Sequence, residues 1–490
     1  MRSAFPDRAT FLITSKPAPP LRRTTFLLAA FLGFTAVSSA SDLESCSKAE
    51  GNLAIAVCAD AIASGKLPTF DLATAYRYRG IALAKNGQYD RAILDYEEAI
   101  RLDPNDAVTF FNRGNSYRDK GDDVRALQDY TAAIALNPKY VSSFINRGNV
   151  HYRARDYDRA IQNFDEVIRI DPMYANAFYN RGNAYSGKGD YDRAIQDYDE
   201  AIRIAPRYAN AFYNRGNAYS SKGDRDSAIR DYSETIRLDP KYAFALNNRG
   251  NAYSDKGEYD LAIRDFDQAI QINPNYTRAF NNRGTTYSAK RDYEHAIHDY
   301  DKAIQLDPDY AIAYNNRCSA HIGKHDYDGA VRDCSKAIQL NPTYIRAFDN
   351  RATAYREKGD YARAIEDLEA ITRLEPKNAS AWSNRCWTRA LAGQLDPALS
   401  DCNESLRLWP NNVTALDRRA FTNLKMGKLD DAIAGYNAAL ELQPKKADSL
   451  YGRGVARLKT GDAGGGQADV AAAKAVQADI VEKFERYGVQ

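Results

Sequence analysis

Histidine is scarce in this 490-residue chain, with five in all, and none of the six cysteines sits in a Cys-x-x-Cys spacing. Metal ligation and dithiol redox chemistry therefore lack their usual residue sets, and His151, His295, His298, His321 and His325 have no ligand partners at suitable spacing. Glycines are spread along the chain rather than gathered in a phosphate-binding loop, and acidic pairs such as Glu97-Glu98 recur as ordinary solvent charges. No cofactor, metal site or catalytic residue is expected. An excess of one charge is missing too: 27% of residues are charged, yet the net charge is +2 and the signs alternate along the chain. That pattern reads as solvated helix faces, so nucleic acid is not an expected partner.

A long hydrophobic run is also lacking. The best candidate, Phe26 to Val37, falls short of the about 20 apolar residues a membrane span requires. It follows Arg22-Arg23 and leads to the small residues Ser38-Ser39-Ala40, which is the order of a secretory signal. Residues 1–40 are expected to be a signal peptide, with the mature chain exported, periplasmic or secreted, and without stable membrane insertion.

What the chain has in abundance is a period. Prolines 104, 138, 172, 206, 240, 274, 308, 342, 376, 410 and 444 follow one another at intervals of 34 residues. Numbering the unit from Ala175, residues at positions 4, 8 and 11 (Phe178, Gly182, Tyr185) share one stripe of a helix, and positions 20, 24 and 27 (Ala194, Tyr198, Ala201) share a stripe of a second. Small residues at 8, 20 and 27 let the helices approach, and aromatics at 4, 11 and 24 fill the space between. Gly189-Asp190 ends the first helix and caps the second, and Pro206 closes the unit. One such unit cannot bury its own apolar face, so units must stack.

These residues resemble the tetratricopeptide repeat, a pair of antiparallel helices per unit. The resemblance covers residues 73 to about 480 in twelve units and implies an all-α fold, a right-handed superhelix of helix-turn-helix repeats. The expected organisation is a signal peptide (1–40), an N-terminal cap with a half repeat (41–72), eleven repeats (73–446), and a last degenerate repeat with a C-terminal capping helix (447–490). In the N-terminal cap, "LAIAVCADAI" (53–62) reads as a second helix alone. At the other end, the last helix is expected to run on through "DIVEKFERYG". The match loosens toward the C-terminus: position 8 becomes Cys318, Ala352, Cys386 and Ala420, and position 24 becomes Cys334, Leu368, Cys402 and Val470.

Position 6 lies about 160° to 200° around the helix from the core stripe, so it does not pack in that core. It is asparagine at 112, 146, 180, 214, 248, 282, 316, 350 and 384. With position 9 (Asn183, Asn217, Asn251) and position 5 (Tyr179, Tyr213, then Asn247, Asn281, Asn315) it forms a ladder of amides. In the repeat family the first helices line the concave side, which places this ladder in the groove. It is similar to the asparagine ladder in the superhelix of the O-linked N-acetylglucosamine transferases, where substrate backbones lie; no transferase domain follows here. An amide offers both donor and acceptor and so matches a peptide group, but the same amides could instead bond to neighbouring helices and hold the units in register. The family's carboxylate clamp needs basic residues at positions 2 and 6 together; here Arg278 accompanies Asn282 and Arg346 accompanies Asn350.

Arginine fills position 7 in all twelve units, and position 23 is aspartate in ten, which predicts a partly exposed Arg–carboxylate pair across each helix seam. The cysteines form three local sets, Cys46 with Cys58, Cys318 with Cys334 and Cys386 with Cys402. The last two sets occupy facing positions 8 and 24, which predicts three disulfides and an oxidising compartment. The function expected is a non-enzymatic scaffold that binds an extended polypeptide or protein partner in an Asn/Tyr-rich groove, with self-association left open. A carbohydrate-binding or polysaccharide-export accessory protein using the same groove is the alternative.

Overall fold

The 34-residue period becomes a pair of helices because each unit carries its own stop and start. In unit four the first helix spans Ala175–Gly187 and the second Tyr191–Ile204. Between them Gly189 adopts φ +80°, and Asp190 accepts the N–H of Arg193 at 3.1 Å. That carboxylate satisfies one of the donors a helix start leaves open. Arg155, Arg291 and His325 hold the same left-handed turn in units three, seven and eight, where an L side chain costs about 1 kcal/mol more than glycine. The second helix ends when Ala205 donates back to Ala201 at 2.9 Å, and Pro206 has no N–H with which to continue.

The computed structural model describes residues 39–489, so the expected signal peptide lies almost wholly outside the described residues. Among the described residues there are 27 helices and no strand, and no helix is long and apolar enough to cross a membrane. They form two compact bodies, residues up to 143 and residues from 144 onward.

In the second body the core stripe packs as its spacing predicts. Tyr198 is fully buried, and a Cβ added to Gly182 would stand 2.8 Å from its ring. Ala194 and Ala201 are buried on either side. Where cysteine replaces both members of that contact, the sulfurs join: Cys318–Cys334 and Cys386–Cys402 are disulfides with Cα separations of 5.5 and 5.3 Å.

The position 7 arginine is a two-directional staple. Arg181 donates from Nε and Nη2 to Asp197 at 2.8 and 2.6 Å, and from Nη1 to Asp165, on the second helix of the preceding unit, at 2.6 Å. The bidentate pair recurs in ten units at 2.6–2.9 Å, from Arg79–Asp95 and Arg113–Asp129 in the first body to Arg453–Asp469 in the second. The pair is more buried than the sequence implies, with Asp197 only 6% exposed and Arg181 20%. Aromatic cover contributes to this, the guanidinium sitting 5.5 Å from the Phe178 ring centroid. Burial pushes the Asp197 carboxyl upward against the pull of Arg181. The guanidinium itself is held above its ordinary value, its bonds to Asp197 and Asp165 outweighing burial. In unit three Asn163 stands in for the aspartate, and burial alone leaves Arg147 lowered.

Both ends depart from expectation. The helix Gly51–Ala63 is not alone: Ser39–Lys48 forms a helix before it, joined to it by the Cys46–Cys58 disulfide with Cα atoms 4.7 Å apart. Its sequence, SASDLESCSK, has too few apolar residues to announce a helix. At the other end the last repeat helix does not run on. Ala463–Val476 stops at Gln477, which is extended (φ −141°, ψ 107°), and a separate helix, Ile480–Arg486, follows. Burial of Ile480 and Phe484 holds this separate direction.

Candidate binding face

The first helices of successive units present positions 2, 6, 9 and 13 on the side away from the core stripe, and the asparagines at position 6 are half-buried there. Asn112 lies on Ala107–Asp119 in the first body; Asn146, Asn180, Asn214, Asn248, Asn282, Asn316, Asn350 and Asn384 belong to the second. Within the second body the amides are joined from unit to unit, in two successive patterns.

The first pattern uses tyrosine at position 5. Asn214 donates from Nδ2 to Tyr179 Oη at 3.0 Å and to Asn183 Oδ1 at 2.8 Å, both in the preceding unit. Asn248 repeats this on Tyr213 (3.1 Å) and Asn217 (2.9 Å). Asn183 and Asn217 also accept from the buried phenols Tyr198 and Tyr232, at 2.8 and 2.9 Å. Position 9 therefore ties the amide face to the core, a link the sequence reading of these residues as groove contacts did not contain. The rings of Tyr179 and Tyr213 are packed between units: Tyr179 lies 4.9 Å from Tyr208 and 6.1 Å from Tyr198, and Tyr213 lies 5.0 Å from Tyr242. Burial raises both phenols.

The second pattern begins where position 5 turns to asparagine. Asn282, Asn316 and Asn350 each donate at 3.0 Å to Oδ1 of Asn247, Asn281 and Asn315, which are themselves buried, and Asn384 donates to Asp349 at 3.1 Å. Because the position 5 amide now supplies the acceptor, position 9 is released from that task. It passes from Asn251 to the exposed Thr285 and Ser319.

The ladder ends at Arg418, which takes position 6 in unit eleven and donates from Nη1 to Ser383 at 2.9 Å and Asn384 at 2.8 Å. Burial, with Arg356 nearby, pushes its guanidinium down to about 10. The histidines sit apart from this face's amides. Two of them have a carboxylate at close ion-pair distance that the sequence did not disclose, His321 with Asp326 at 2.8 Å and His295 with Asp292 at 2.8 Å. Among the described residues no group of three or more His, Cys, Asp or Glu is placed to hold a metal ion.

A stack of two-helix units stapled at one seam and laddered with amides on one face defines a tandem-repeat scaffold, a class that presents extended surfaces to other macromolecules. One tetratricopeptide repeat profile matches residues 243–276 and 277–310, a second matches 145–209 and 350–413, and a TPR repeat profile matches 80–121, 114–154, 216–257 and 424–461. The chain belongs to the tetratricopeptide repeat family, whose members are generally non-enzymatic scaffolds for protein–protein interaction. No match is found among curated proteins. Among solved structures, MamA is similar at 27% identity over 34% of this chain and 96% of that one, with a TM-score of 0.32. YrrB, described as a TPR protein with an unusual peptide-binding site, is similar at 27% identity over 38% and 95%, with a TM-score of 0.33. A tetratricopeptide repeat protein from Parabacteroides merdae is similar at 21% identity over 51% and 98%, with a TM-score of 0.42.

Proposed function

We propose that the amide face of units four to nine binds an extended polypeptide segment of a protein partner. The observation that carries this reading is the hydrogen-bonding capacity left over after the ladder is built. Asn214 has both N–H groups engaged and keeps its carbonyl oxygen for the face, whereas Asn316 and Asn350 each place one N–H on the preceding unit and keep the other. The ladder thus holds register and, at Asn214, Asn316 and Asn350, still offers an acceptor or a donor, which is what a peptide backbone laid along it would use. Few charges interrupt positions 2, 6 and 9 between units four and eight, so the recognition favours backbone over acidic side chains. The carbohydrate reading draws less support, because the Tyr179 and Tyr213 rings are packed against other tyrosines rather than held out for stacking. Export is part of the same proposal, supported by three disulfides that suit an oxidising compartment.

The test blocks the face without cutting the ladder. Ser319 and Thr285 are exposed at position 9, and Ser319→Trp with Thr285→Trp fills the face while leaving the Asn282, Asn316 and Asn350 bonds intact. A displayed library of unstructured peptides is expected to be enriched by the unaltered chain and not by the blocked one. Equal enrichment by both removes the amide face as the binding surface.

A further inference from the structure

The C-terminal helix does not behave as a thirteenth repeat helix, which would stack on unit twelve alone. It reaches back across three units. Phe484 lies 4.7 Å from Tyr451 in unit twelve and 5.9 Å from Phe421 in unit eleven, and Tyr487 lies 5.0 Å from Trp387 in unit ten. Lys425 of unit eleven donates to the carbonyl of Tyr487 at 3.2 Å, and Lys483 pairs with Asp448 at 2.6 Å. Ile480, Phe484 and Val489 are 0%, 2% and 5% exposed.

The surface beneath is the same first-helix face that carries the amides further back. Position 9 is asparagine in units two to six, threonine or serine in units seven to nine, and then Trp387, Phe421 and Val455 in units ten to twelve. The face turns from polar to apolar where the tail covers it. Ile480, Phe484 and Tyr487 fall at i, i+4 and i+7, the spacing by which one side of a helix enters an apolar groove. A helix of seven residues has almost no stability of its own, so its order comes from the groove it fills.

The geometry points to the segment 480–489 being an intramolecular ligand: it occupies an aromatic docking site on units ten to twelve that, once vacated, accepts a short amphipathic helix from a protein partner. The occupant chemistry is the tail's own, an aliphatic residue followed by two aromatics at i+4 and i+7, with a cation beside the aliphatic end to meet Asp448. This site lies on units ten to twelve, beyond the units four to nine proposed to bind an extended segment, and stands or falls without that proposal.

The probe is a fluorescein-labelled peptide with the sequence of residues 478–489. Full-length chain carrying Phe484→Ala and Tyr487→Ala, with its helical circular dichroism unchanged, is expected to bind this peptide at least ten-fold more tightly than the unaltered chain. A peptide carrying the same two alanines is expected not to bind. Equal binding to both chains, or none to a folded variant, overturns the proposal. A second measurement does not depend on that variant folding. With a protease site placed at Gln477–Ala478, cleavage of the folded full-length chain is expected to let the tail leave and the labelled peptide replace it, reported by Trp387 emission. A tail that stays through dialysis, or a chain that unfolds when cut, makes the segment a permanent cap. Dimers of the unaltered chain that the peptide dissociates would assign the site to a second copy and also overturn the proposal.

Discussion

Arg181→Ala is expected to cost more than Asp197→Ala, and the structure says why. Removing the carboxylate leaves Arg181 with its third arm on Asp165, whose side chain is 48% exposed, so the cation keeps a partner and some water. The loss is then about 2 kcal/mol, near the value of a charge-assisted hydrogen-bonded contact in partly buried surroundings. Removing the guanidinium leaves Asp197 buried with no cation in reach, and breaking a buried pair from that side costs about 3 to 5 kcal/mol. Asp197→Asn copies what unit three already has in Asn163 and is expected to fall below both, at about 1 kcal/mol. The coupling from the double-mutant cycle is expected to be about 1.5 to 3 kcal/mol. Acidity supplies a further check on sign. Because burial raises the folded pKa of Asp197 above the unfolded value near 3.9, its ionised form penalises folding above the folded pKa, and the penalty vanishes below the unfolded one. The Arg181→Ala defect is therefore expected to shrink as pH falls through that window. Long repeat arrays lose two-state behaviour, so the assay is hydrogen exchange on peptides from unit four together with denaturant melts. Coupling under about 0.5 kcal/mol, or a defect that grows in acid, would refute the staple argument.

Two further outcomes follow from the core. Gly182→Ala gains helix propensity yet places a Cβ 2.8 Å from the Tyr198 ring and 3.2 Å from the Ala194 carbonyl, so a net loss of about 1 to 3 kcal/mol is expected in thermal or denaturant melts. Unit nine pairs Ala352 with Leu368, and Tyr198→Leu in the Gly182→Ala background is accordingly expected to recover most of the loss; a single variant as stable as the parent would show that the close approach is not limiting. Removing Cys318–Cys334 by double alanine substitution frees a loop with a separation of 16 residues and is expected to cost about 3 kcal/mol, read under oxidising conditions as a lower melting temperature than the parent's, with the other two bridges intact in both. A variant that melts with the oxidised parent would mean the unfolded chain is not restrained by the bridge.

Periodicity made the repeat legible, because a 34-residue interval marked by proline, glycine and paired apolar stripes admits few backbones other than a stacked helix pair. The Arg–Asp seam and the facing cysteines were legible for the same reason, since fixed spacing in a repeat converts sequence separation into distance. The contacts between units were not. That Asn214 would choose Tyr179 and Asn183 while Asn282 chooses Asn247 depends on side chains 31 and 35 residues away meeting across a packed interface, and neither choice is encoded in a local pattern. The ends escaped for a related reason. Outside the period, Ser39–Lys48 has no repeating stripe to mark it, and the direction of Ile480–Arg486 was decided by Trp387, Phe421 and Tyr451, whose apolar surface lies far back along the chain. Sequence by itself determined the unit, its core and its seam, where every partner lies within one period; tertiary packing alone decided what the amides bond to and where the tail lies, because burial is settled by whichever surfaces the finished stack brings together.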